Sequence, residues 1–235
     1  MIIVSTKNLI ITDPKSPFAE AFRTLRTNLE FTGIDKKIKS ILFTSSVPNE
    51  GKSTIVKNLA YSVALTGSKI IVIDADLRNP TIHKIFNLSN SRGLTNLLID
   101  EVGYEPYVYE DNSYNNLHIL TSGPIPPNPT ELLGSNKMKK LLNIIKENYS
   151  YVFIDSPPVI AVTDAAVLAS SVDGVVLVIH AGKTEIEAAI RTKEILDNVK
   201  ANILGVVLNR IKESNYDYYY YYYDETKQNR KRRKR

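Results

Sequence analysis

The stretch SILFTSSVPNEGKST, residues 40–54, decides the fold of this chain. It begins as an apolar strand, passes through a turn rich in proline, asparagine and glycine, and opens a helix after Gly51. Strand, loop and helix in this order are the setting of a P-loop, whose amides and helix N-terminus cradle phosphates. The usual first glycine, five residues before Gly51, is Ser46 here, so the motif is a variant. The stretch predicts that Lys52 contacts the β- and γ-phosphates and that Ser53 coordinates Mg²⁺.

Two further apolar runs end in carboxylates. IIVIDADLR, residues 70–78, contains Asp74 and Asp76, and YVFIDSPP, residues 151–158, contains Asp155. Charges at the end of a buried strand are costly unless they are paired, and a bound Mg²⁺ or a phosphoryl-transfer reaction would explain them. A structural pair held by the arginine that ends the first run is the alternative. With the P-loop, these runs predict one metal–phosphate site at one edge of a sheet.

A fourth run, ILGVVLNR at residues 203–210, ends in Asn209 and Arg210. An amide can pair with both the donor and the acceptor of an adenine edge, although a cap or turn role suits Asn209 equally well. The predicted nucleotide contacts are Ser46, Pro48, Asn49, Glu50, Gly51, Lys52, Ser53, Thr54, Asn209 and Arg210.

Short apolar runs alternate with helical patterns along the body of the chain. Most runs are continuously apolar, as expected for strands buried on both faces of a parallel sheet. The alternation predicts an α/β fold of the P-loop NTPase type, with a doubly wound, mostly parallel sheet flanked by helices. The predicted strands are 39–44, 69–74, 117–121, 151–155, 174–180 and 203–209, and the predicted helices are 53–65, 135–147, 164–169 and 185–199.

An amphipathic helix is predicted before the first core strand, over about residues 16–32. Its phenylalanines and leucines recur with helical spacing and form an apolar stripe. Three charged residues, Glu20, Arg23 and Arg26, form a ridge beside this stripe. The family resemblance described below implies that this ridge is an oligomerisation surface that docks on the next subunit. A surface helix with internal ion pairs is the alternative.

The chain ends in a tail that we predict to be flexible. Residues 216–225, YDYYYYYYDE, hold seven of the 14 tyrosines. A strand would bury only alternate members of this run and a helix would expose most of them, so it is no ordinary core element. Three interpretations of the run are possible: a stacking platform for single-stranded nucleic acid, an aggregation-prone segment or a set of phosphate acceptors. The adjoining acidic residues favour phosphate acceptors. The acceptors would be Tyr216, Tyr218, Tyr219, Tyr220, Tyr221, Tyr222 and Tyr223.

Composition excludes several classes of protein. The 235 residues include no cysteine, so the chain has no disulfide framework and no Cys-based zinc site. Neither a signal peptide nor an apolar run fit to span a bilayer is apparent. The net charge is +5, and residues 213–235 supply +3 of it, because they carry seven basic and four acidic side chains. The rest of the chain is nearly balanced in charge, so no nucleic-acid partner is expected. The basic end, 230–235, is either a solvated, disordered end or attracted to an anionic membrane or polyanion.

Together these motifs resemble the bacterial tyrosine kinases of capsule and exopolysaccharide synthesis. The resemblance covers nearly the whole chain. It includes an E-x-x-R-x-x-R oligomerisation motif at 20–26, the variant P-loop, the D-A-D-L-R run, the segment LHILTSGPIPPNP at 117–129, the D-S-P-P run and the tyrosine tail. It implies a non-specific protein-tyrosine kinase that uses ATP and Mg²⁺ to phosphorylate its own C-terminal tyrosines. Reaction in the site of a neighbouring subunit is geometrically easier than self-reach.

The resemblance also implies a role for each polar residue of the site. Lys52 holds the phosphates and Thr54 adds a hydroxyl contact. Ser53, Asp76 and Asp155 hold the metal, the two carboxylates directly or through water. Asp74 accepts or orients the tyrosine proton, and Asp74 and Asp76 can exchange roles because sequence does not set their geometry. The predicted catalytic residues are Lys52, Asp74, Asp76 and Asp155.

Partners and location are implied by the same resemblance. In the most similar subgroup the kinase is a separate cytoplasmic polypeptide, and a membrane-embedded modulator supplies an activating cytoplasmic segment. A ring-like homo-oligomer, an opposing tyrosine phosphatase and a peripheral place at the inner membrane face are further expectations. The domain prediction is a kinase domain over 1–212 and a tail over 213–235.

Two rival functions remain. Partitioning and division-site ATPases need the same loop, but they carry a signature lysine where this chain has Val47. A non-enzymatic scaffold, in which nucleotide only sets assembly, is the other.

Overall fold

The computed structural model describes residues 13–33, 37–100 and 103–211, whose strands form one seven-stranded sheet. The strands are β1 (Ser40–Ser45), β2 (Ile70–Asp74), β3 (Val108–Glu110), β4 (Leu117–Leu120), β5 (Tyr151–Asp155), β6 (Gly174–His180) and β7 (Ile203–Asn209). Their order is β3-β4-β2-β5-β1-β6-β7. Only β3 is antiparallel to its neighbour. The predicted α/β fold with a mostly parallel sheet is therefore confirmed.

Helices cover both faces of this sheet. They are α1 (Pro17–Thr32), α2 (Lys52–Ala64), α3 (Ile82–Phe86), α4 (Leu94–Ile99), α5 (Pro129–Leu133), α6 (Asn136–Asn148), α7 (Asp164–Ala169) and α8 (Ile186–Asn198). One apolar cluster packs α1, α2 and α3 on one face, and a second packs α4 to α8 on the other. Within β1, Ile41 and Phe43 belong to the first cluster and Leu42 to the second, because successive side chains of a strand alternate between faces.

The predicted strands and helices lie within about one residue of the observed ones, whereas the short elements were missed. No prediction covered β3, α3, α4 or α5, which have three to six residues each. These four show too few repeats of a strand or helix period to be recognised, whereas β4 and α7 were predicted although they have similar lengths. Tertiary packing decides them instead.

The helix α1 forms where the sequence predicted it. The Ser16 hydroxyl caps it by accepting a hydrogen bond from the Ala19 amide at 3.2 Å, and Pro17 occupies the first helical position. The apolar stripe is buried against α2, and Gly33 follows the last turn. The stripe therefore fastens α1 to the body of the domain.

The charged ridge of α1 divides into two parts. Arg23 pairs with Glu20 at 2.6 Å on the surface. Arg26 is directed at α2, where its Nη1 donates to the Ser62 carbonyl at 2.7 Å. An internal ion pair is thus present, as in the alternative interpretation, and docking on a second subunit stays a prediction.

We expect Arg26→Ala to lower the free energy of unfolding by about 1–2 kcal/mol. The substitution removes a cation and a hydrogen bond from a carbonyl in the last turn of α2, and the Arg26 side chain is only 19% exposed. Arg23→Ala is the matched control and should change stability by less than about 0.5 kcal/mol, since its ion pair is exposed. Urea unfolding measures both, and equal losses would contradict this division of the ridge.

Some predictions fall outside the described residues. The tyrosines at 216 and 218–223, the basic end and the boundary between kinase domain and tail all lie beyond Ile211. Across the three described ranges, no helix combines the length and apolar character needed to cross a membrane.

Candidate active site

Three neighbouring strands end together beside the P-loop. Parallel pairing sets Asp74 of β2 opposite Asp155 of β5, and Asp155 opposite Phe43 of β1. The loop after β1 leads into α2, whose first residue is Lys52. The predicted carboxylates and the predicted lysine are therefore gathered at one carboxyl edge of the sheet, where α/β proteins bind ligands.

The P-loop turns into α2 through a conformation that favours glycine. Gly51 has φ +91°, and a Cβ at this position would lie 2.1 Å from Nδ2 of Asn209. Lys52 follows and is only 8% exposed. The unpaired N–H groups at the start of α2 and the Lys52 ammonium together form a positive site suited to phosphate.

Glu50 and Asn209 hold the P-loop from behind. The Glu50 carboxylate accepts hydrogen bonds from the Val47 amide at 2.9 Å, the His180 amide at 3.3 Å and the Thr184 hydroxyl. The Glu50 carbonyl accepts one from Nδ2 of Asn209 at 2.8 Å, and the Asn209 oxygen accepts one from the next amide. Both residues are buried and both side chains bind protein. Adenine recognition by Asn209 stays a prediction.

The buried Asp155 carboxylate has one satisfied oxygen and one unsatisfied oxygen. Its Oδ2 accepts a hydrogen bond from the Ser53 hydroxyl at 2.5 Å, and the Thr81 hydroxyl donates to Ser53 at 2.9 Å. Its Oδ1 is buried and has no hydrogen-bond partner among the described residues. Such an oxygen costs free energy unless a cation or a bound water satisfies it.

Asp74 and Asp76 differ in exposure. Asp74 is fully buried; its Oδ1 accepts from the Asp76 amide at 3.2 Å, and its Oδ2 accepts from the Thr81 and Ile82 amides at 3.1 and 3.0 Å. Asp76 is half-buried and accepts from the Asn79 amide at 3.0 Å. Asp74 therefore fixes the loop after β2, and Asp76 is the member of the pair that faces the open cleft.

Burial raises the pKa of each of these three carboxyl groups. Burial, and then the charge of Asp155, hold the pKa of Asp74 well above its ordinary value. Burial raises the pKa of Asp155 to about 6, although the charge of Lys52 opposes the shift. Burial likewise raises the pKa of Asp76. The site thus concentrates more negative charge than its own surroundings stabilise, as in many functional sites.

An open cleft of ≈ 530 Å³ lies over these groups, within the range of small-molecule sites. The P-loop, the region from the end of β2 through α3, and the loop after β5 form its walls. Of the predicted nucleotide contacts, Ser46, Glu50 and Asn209 are buried behind this surface. The lining residues used below are Lys52, Ser53, Asp76, Arg78, Lys84 and Arg210.

The oxygen donors fit Mg²⁺ bound together with a nucleotide. The Ser53 hydroxyl, Oδ1 of Asp155 and the Asp76 carboxylate are donors of the kind that Mg²⁺ prefers. Across residues 13–33, 37–100 and 103–211, no three His, Cys, Asp or Glu side chains are arranged to hold a metal ion. That agrees with Mg²⁺ sites that combine one or two carboxylates with phosphate oxygens.

Two features of the cleft were not predicted from the sequence. Thr81 binds both Ser53 and Asp74, and Arg78 is held by Asp164 from the start of α7. Arg78 and Asp164 are 86 residues apart, and no sequence pattern indicates their pairing. The only available signal was the position of Arg78 at the end of the D-A-D-L-R run.

Comparison with known proteins adds to this geometry. Residues 39–204 match the family described as an AAA domain. The tyrosine-protein kinase YwqD of Bacillus subtilis is 47% identical over 216 residues, or 90% of this chain and 91% of that protein. The putative tyrosine-protein kinase CapB of Staphylococcus aureus is 41% identical over 208 residues, 87% and 91% of the two chains. The kinase domain of Escherichia coli tyrosine kinase ETK superimposes with a TM-score of 0.83, at 32% identity, over 87% of this chain and 80% of that one.

Proposed function

This chain belongs to the bacterial tyrosine-protein kinases, and from that premise we propose that it transfers the γ-phosphoryl group of ATP to C-terminal tyrosines of a neighbouring copy. The observation that carries the proposal is the meeting of Lys52, Ser53 and two acidic strand ends at one cleft. Phosphoryl transfer depends mainly on positioning and on neutralising charge, and these groups supply both. The AAA family match supports nucleotide binding.

Phosphate binding is assigned to the P-loop. Lys52 contacts the β- and γ-phosphates, and the Thr54 hydroxyl and the amides at the start of α2 add hydrogen bonds. Glu50 and Asn209 keep the loop in its binding shape through their contacts from behind. These residues orient the triphosphate with its γ-phosphate toward the ends of β5 and β2.

Metal binding is assigned to Ser53, Asp76 and Asp155. The unsatisfied Oδ1 of Asp155 supports this assignment, as does the Ser53 hydroxyl beside it. When bound, Mg²⁺ neutralises negative charge that develops on the phosphate oxygens.

The tyrosine proton passes to the Asp74–Asp76 pair, and Asp76 would hold Mg²⁺ through water so that its carboxylate stays free to accept the proton. A bond forms between the tyrosine oxygen and the γ-phosphorus, the bond from that phosphorus to the β–γ bridging oxygen breaks, and ADP leaves. A tyrosine with a pKa near 10 is a poor nucleophile at neutral pH, so an adjacent carboxylate assists. Asp76 is the member exposed to the cleft, and Asp74 lies behind it.

The sheet order supports transfer between copies. The last described residue, Ile211, follows β7 at the sheet edge, and β2 is four strands away, which is about 19 Å at the usual strand spacing. Residues 211–218 span at most about 25 Å when fully extended. A tail reaching its own Asp76 would have to reverse across the cleft that ATP occupies, whereas the tail of a neighbour can enter from the β2 side.

A mixing experiment tests this proposal. A Lys52→Met chain with an intact tail is incubated with Mg²⁺, labelled ATP, the activating cytoplasmic segment of the modulator and a chain whose tyrosines at 216 and 218–223 are phenylalanine. We expect label on the Lys52→Met chain, because each partner supplies what the other lacks. Label on the wild-type chain alone, with none in the mixture, would mean that transfer occurs within one copy. No tyrosine label in either sample would contradict phosphorylation of the tail.

The remaining partners are proposed from the family resemblance. They are a membrane-embedded modulator, a homo-oligomeric ring docked through the α1 ridge, an opposing phosphatase, and recruitment to the inner membrane face in capsule or exopolysaccharide synthesis. We also propose the division into a kinase domain over 1–212 and an acceptor tail over 213–235. Membership of the kinase family argues against the ATPase-switch and scaffold alternatives.

A further inference from the structure

The cleft continues beyond the phosphate site, toward the side of the sheet where β2 lies. Arg210 lies at the end of β7, and Lys52 and Ser53 follow the central strand β1. Past Asp76 the wall is formed by the loop after β2 and by α3. If the nucleotide extends from β7 to the P-loop, this far part of the cleft is where an acceptor must enter, since the attacking and leaving oxygens lie roughly in line.

Arg78 is a fixed cation in this far part of the cleft. Its Nε donates to Oδ2 of Asp164 at 2.8 Å, and its Nη2 donates to Oδ1 of Asp164 and to the Thr130 hydroxyl, both at 3.1 Å. Asp164 is fully buried, whereas the Arg78 side chain is 42% exposed. Nη1 makes no hydrogen bond within the described residues. A guanidinium clamped on one edge with a free edge toward a cleft is preorganised to bind a carboxylate or phosphate.

Lys84 is a second cation that lines the cleft. It lies in α3, is exposed, and its side chain makes no ion pair or hydrogen bond among the residues that the structure describes. Among the described residues, four that line the cleft are basic and Asp76 alone is acidic. Two of those cations, Arg78 and Lys84, belong to the segment from the end of β2 through α3, and not to the P-loop or to β7.

We propose that Arg78 and Lys84 form an acceptor subsite that recognises carboxylates next to the target tyrosine, with Asp164 and Thr130 as the residues that position Arg78. The inference rests on the proposed function and names its substrate class, acidic tyrosine segments. The chain's own tail has this character, because Asp217 precedes the run of six tyrosines and Asp224 and Glu225 follow it. The subsite selects the segment and places its hydroxyl beside Asp76.

The test uses two peptides and a full-length enzyme whose tail tyrosines are phenylalanine. The first peptide has the sequence of residues 214–226, SNYDYYYYYYDET. In the second, the three acidic residues are replaced by Asn, Asn and Gln. KM for each peptide, KM for ATP and kcat are measured at low salt and at high salt.

For the wild-type enzyme we expect a KM about tenfold lower for the acidic peptide than for the neutral one. This is the size expected if Arg78 makes one charge-assisted contact and Lys84 makes one exposed ion pair with the peptide. Lys84→Gln should raise that KM about threefold, and Arg78→Lys should raise it more, because lysine keeps the charge but loses the clamped fork. Neither variant should change KM for ATP, and high salt should shrink the preference between peptides. Lys139→Gln, an exposed lysine of α6 outside the cleft, is the matched control and should change nothing.

Asp164→Asn tests whether Asp164 positions Arg78 for the peptide or only stabilises the fold. It weakens the clamp, so it should reduce the preference between peptides while thermal unfolding shows that the variant folds. If it does not fold, Thr130→Val provides the same readout with a milder change.

Equal KM values for the two peptides with wild-type enzyme would overturn the inference and leave the kinase function standing. A rise in KM for ATP in the Arg78 and Lys84 variants would place these cations on the nucleotide instead. Failure to phosphorylate either peptide would count against both proposals.

Discussion

Replacing Lys52 by methionine is expected to reduce tyrosine phosphorylation by about 1,000-fold or more. Removal of a single preorganised group that stabilises transition-state charge costs this much in other enzymes. Lys52 is the charged group that begins α2 at the P-loop, and it is only 8% exposed, so its interaction with phosphate is weakly screened. No other lining cation occupies the start of that helix.

The Lys52→Met substitution should reduce activity without a comparable loss of stability. Within the described residues Lys52 makes neither a hydrogen bond nor an ion pair, so methionine removes a buried charge and keeps the length of the side chain. The Lys52 charge nevertheless stabilises the ionised forms of Asp155 and Asp76, so we expect a small fall in the unfolding midpoint without nucleotide, far smaller than the loss of activity. Incorporation of labelled phosphate and binding of a fluorescent ATP analogue measure the functional loss. Lys139→Met, on the surface of α6, is the matched control, and a Lys52→Met chain that retains a tenth of wild-type labelling would contradict the role of Lys52.

Replacing Asp155 by asparagine is expected to lower phosphorylation about 100-fold and, at the same time, to stabilise the nucleotide-free protein. The loss of activity follows because a neutral amide holds Mg²⁺ poorly. The gain in stability follows because burial raises the pKa of Asp155 to about 6. The folded protein therefore binds this proton more tightly than the unfolded chain does, and ionisation of Asp155 costs folding free energy.

The sign of the pH dependence is fixed by that shift. The stabilising contribution of protonated Asp155 is complete below about pH 4, where the unfolded chain is also protonated, and it is lost as pH rises through about 6. Asparagine resembles the protonated form at every pH. We expect the variant to exceed the wild type by about 2–3 kcal/mol at pH 8 and by nothing below about pH 4.

Urea unfolding across this pH range, with metal removed by a chelator, measures the difference. Asp173→Asn, at the other end of the sheet, is a control for which we expect the opposite change in stability. Although burial alone would raise the pKa of Asp173, hydrogen bonds from Ser40 and Lys39 lower it. Its replacement should therefore destabilise the protein at pH 8. Loss of stability in Asp155→Asn at pH 8 would contradict a strained, charge-rich site at the end of β5.

Local sequence patterns fixed the parts of the site that depend on neighbours along the chain. The strand before Asp74 and the strand before Asp155 were predicted because continuous apolar runs indicate parallel strands buried on both faces. Their convergence with Lys52 could be predicted as well, because parallel strands end at the same edge of a sheet. The P-loop followed from one strand, one turn and one helix in sequence.

Contacts between distant residues could not be predicted in this way. The sequence left adenine recognition and a cap or turn role equally open for Asn209, and it did not indicate that this amide binds the Glu50 carbonyl and the next backbone amide. It suggested a shared surface role for Arg23 and Arg26, whereas packing turns Arg26 onto α2. It left Asp74 and Asp76 interchangeable, and only their different burial separates them.

The sequence by itself therefore determined the six longer strands, the main helices and the place of the phosphate loop. Hydrophobic periodicity, caps and loop composition are local, and each acts over a few residues. Only the tertiary structure decided the order of the strands, the burial of Asp74 and the clamp of Asp164 on Arg78. These depend on which faces pack together, since burial and charge pairing are set by neighbours in space rather than along the chain.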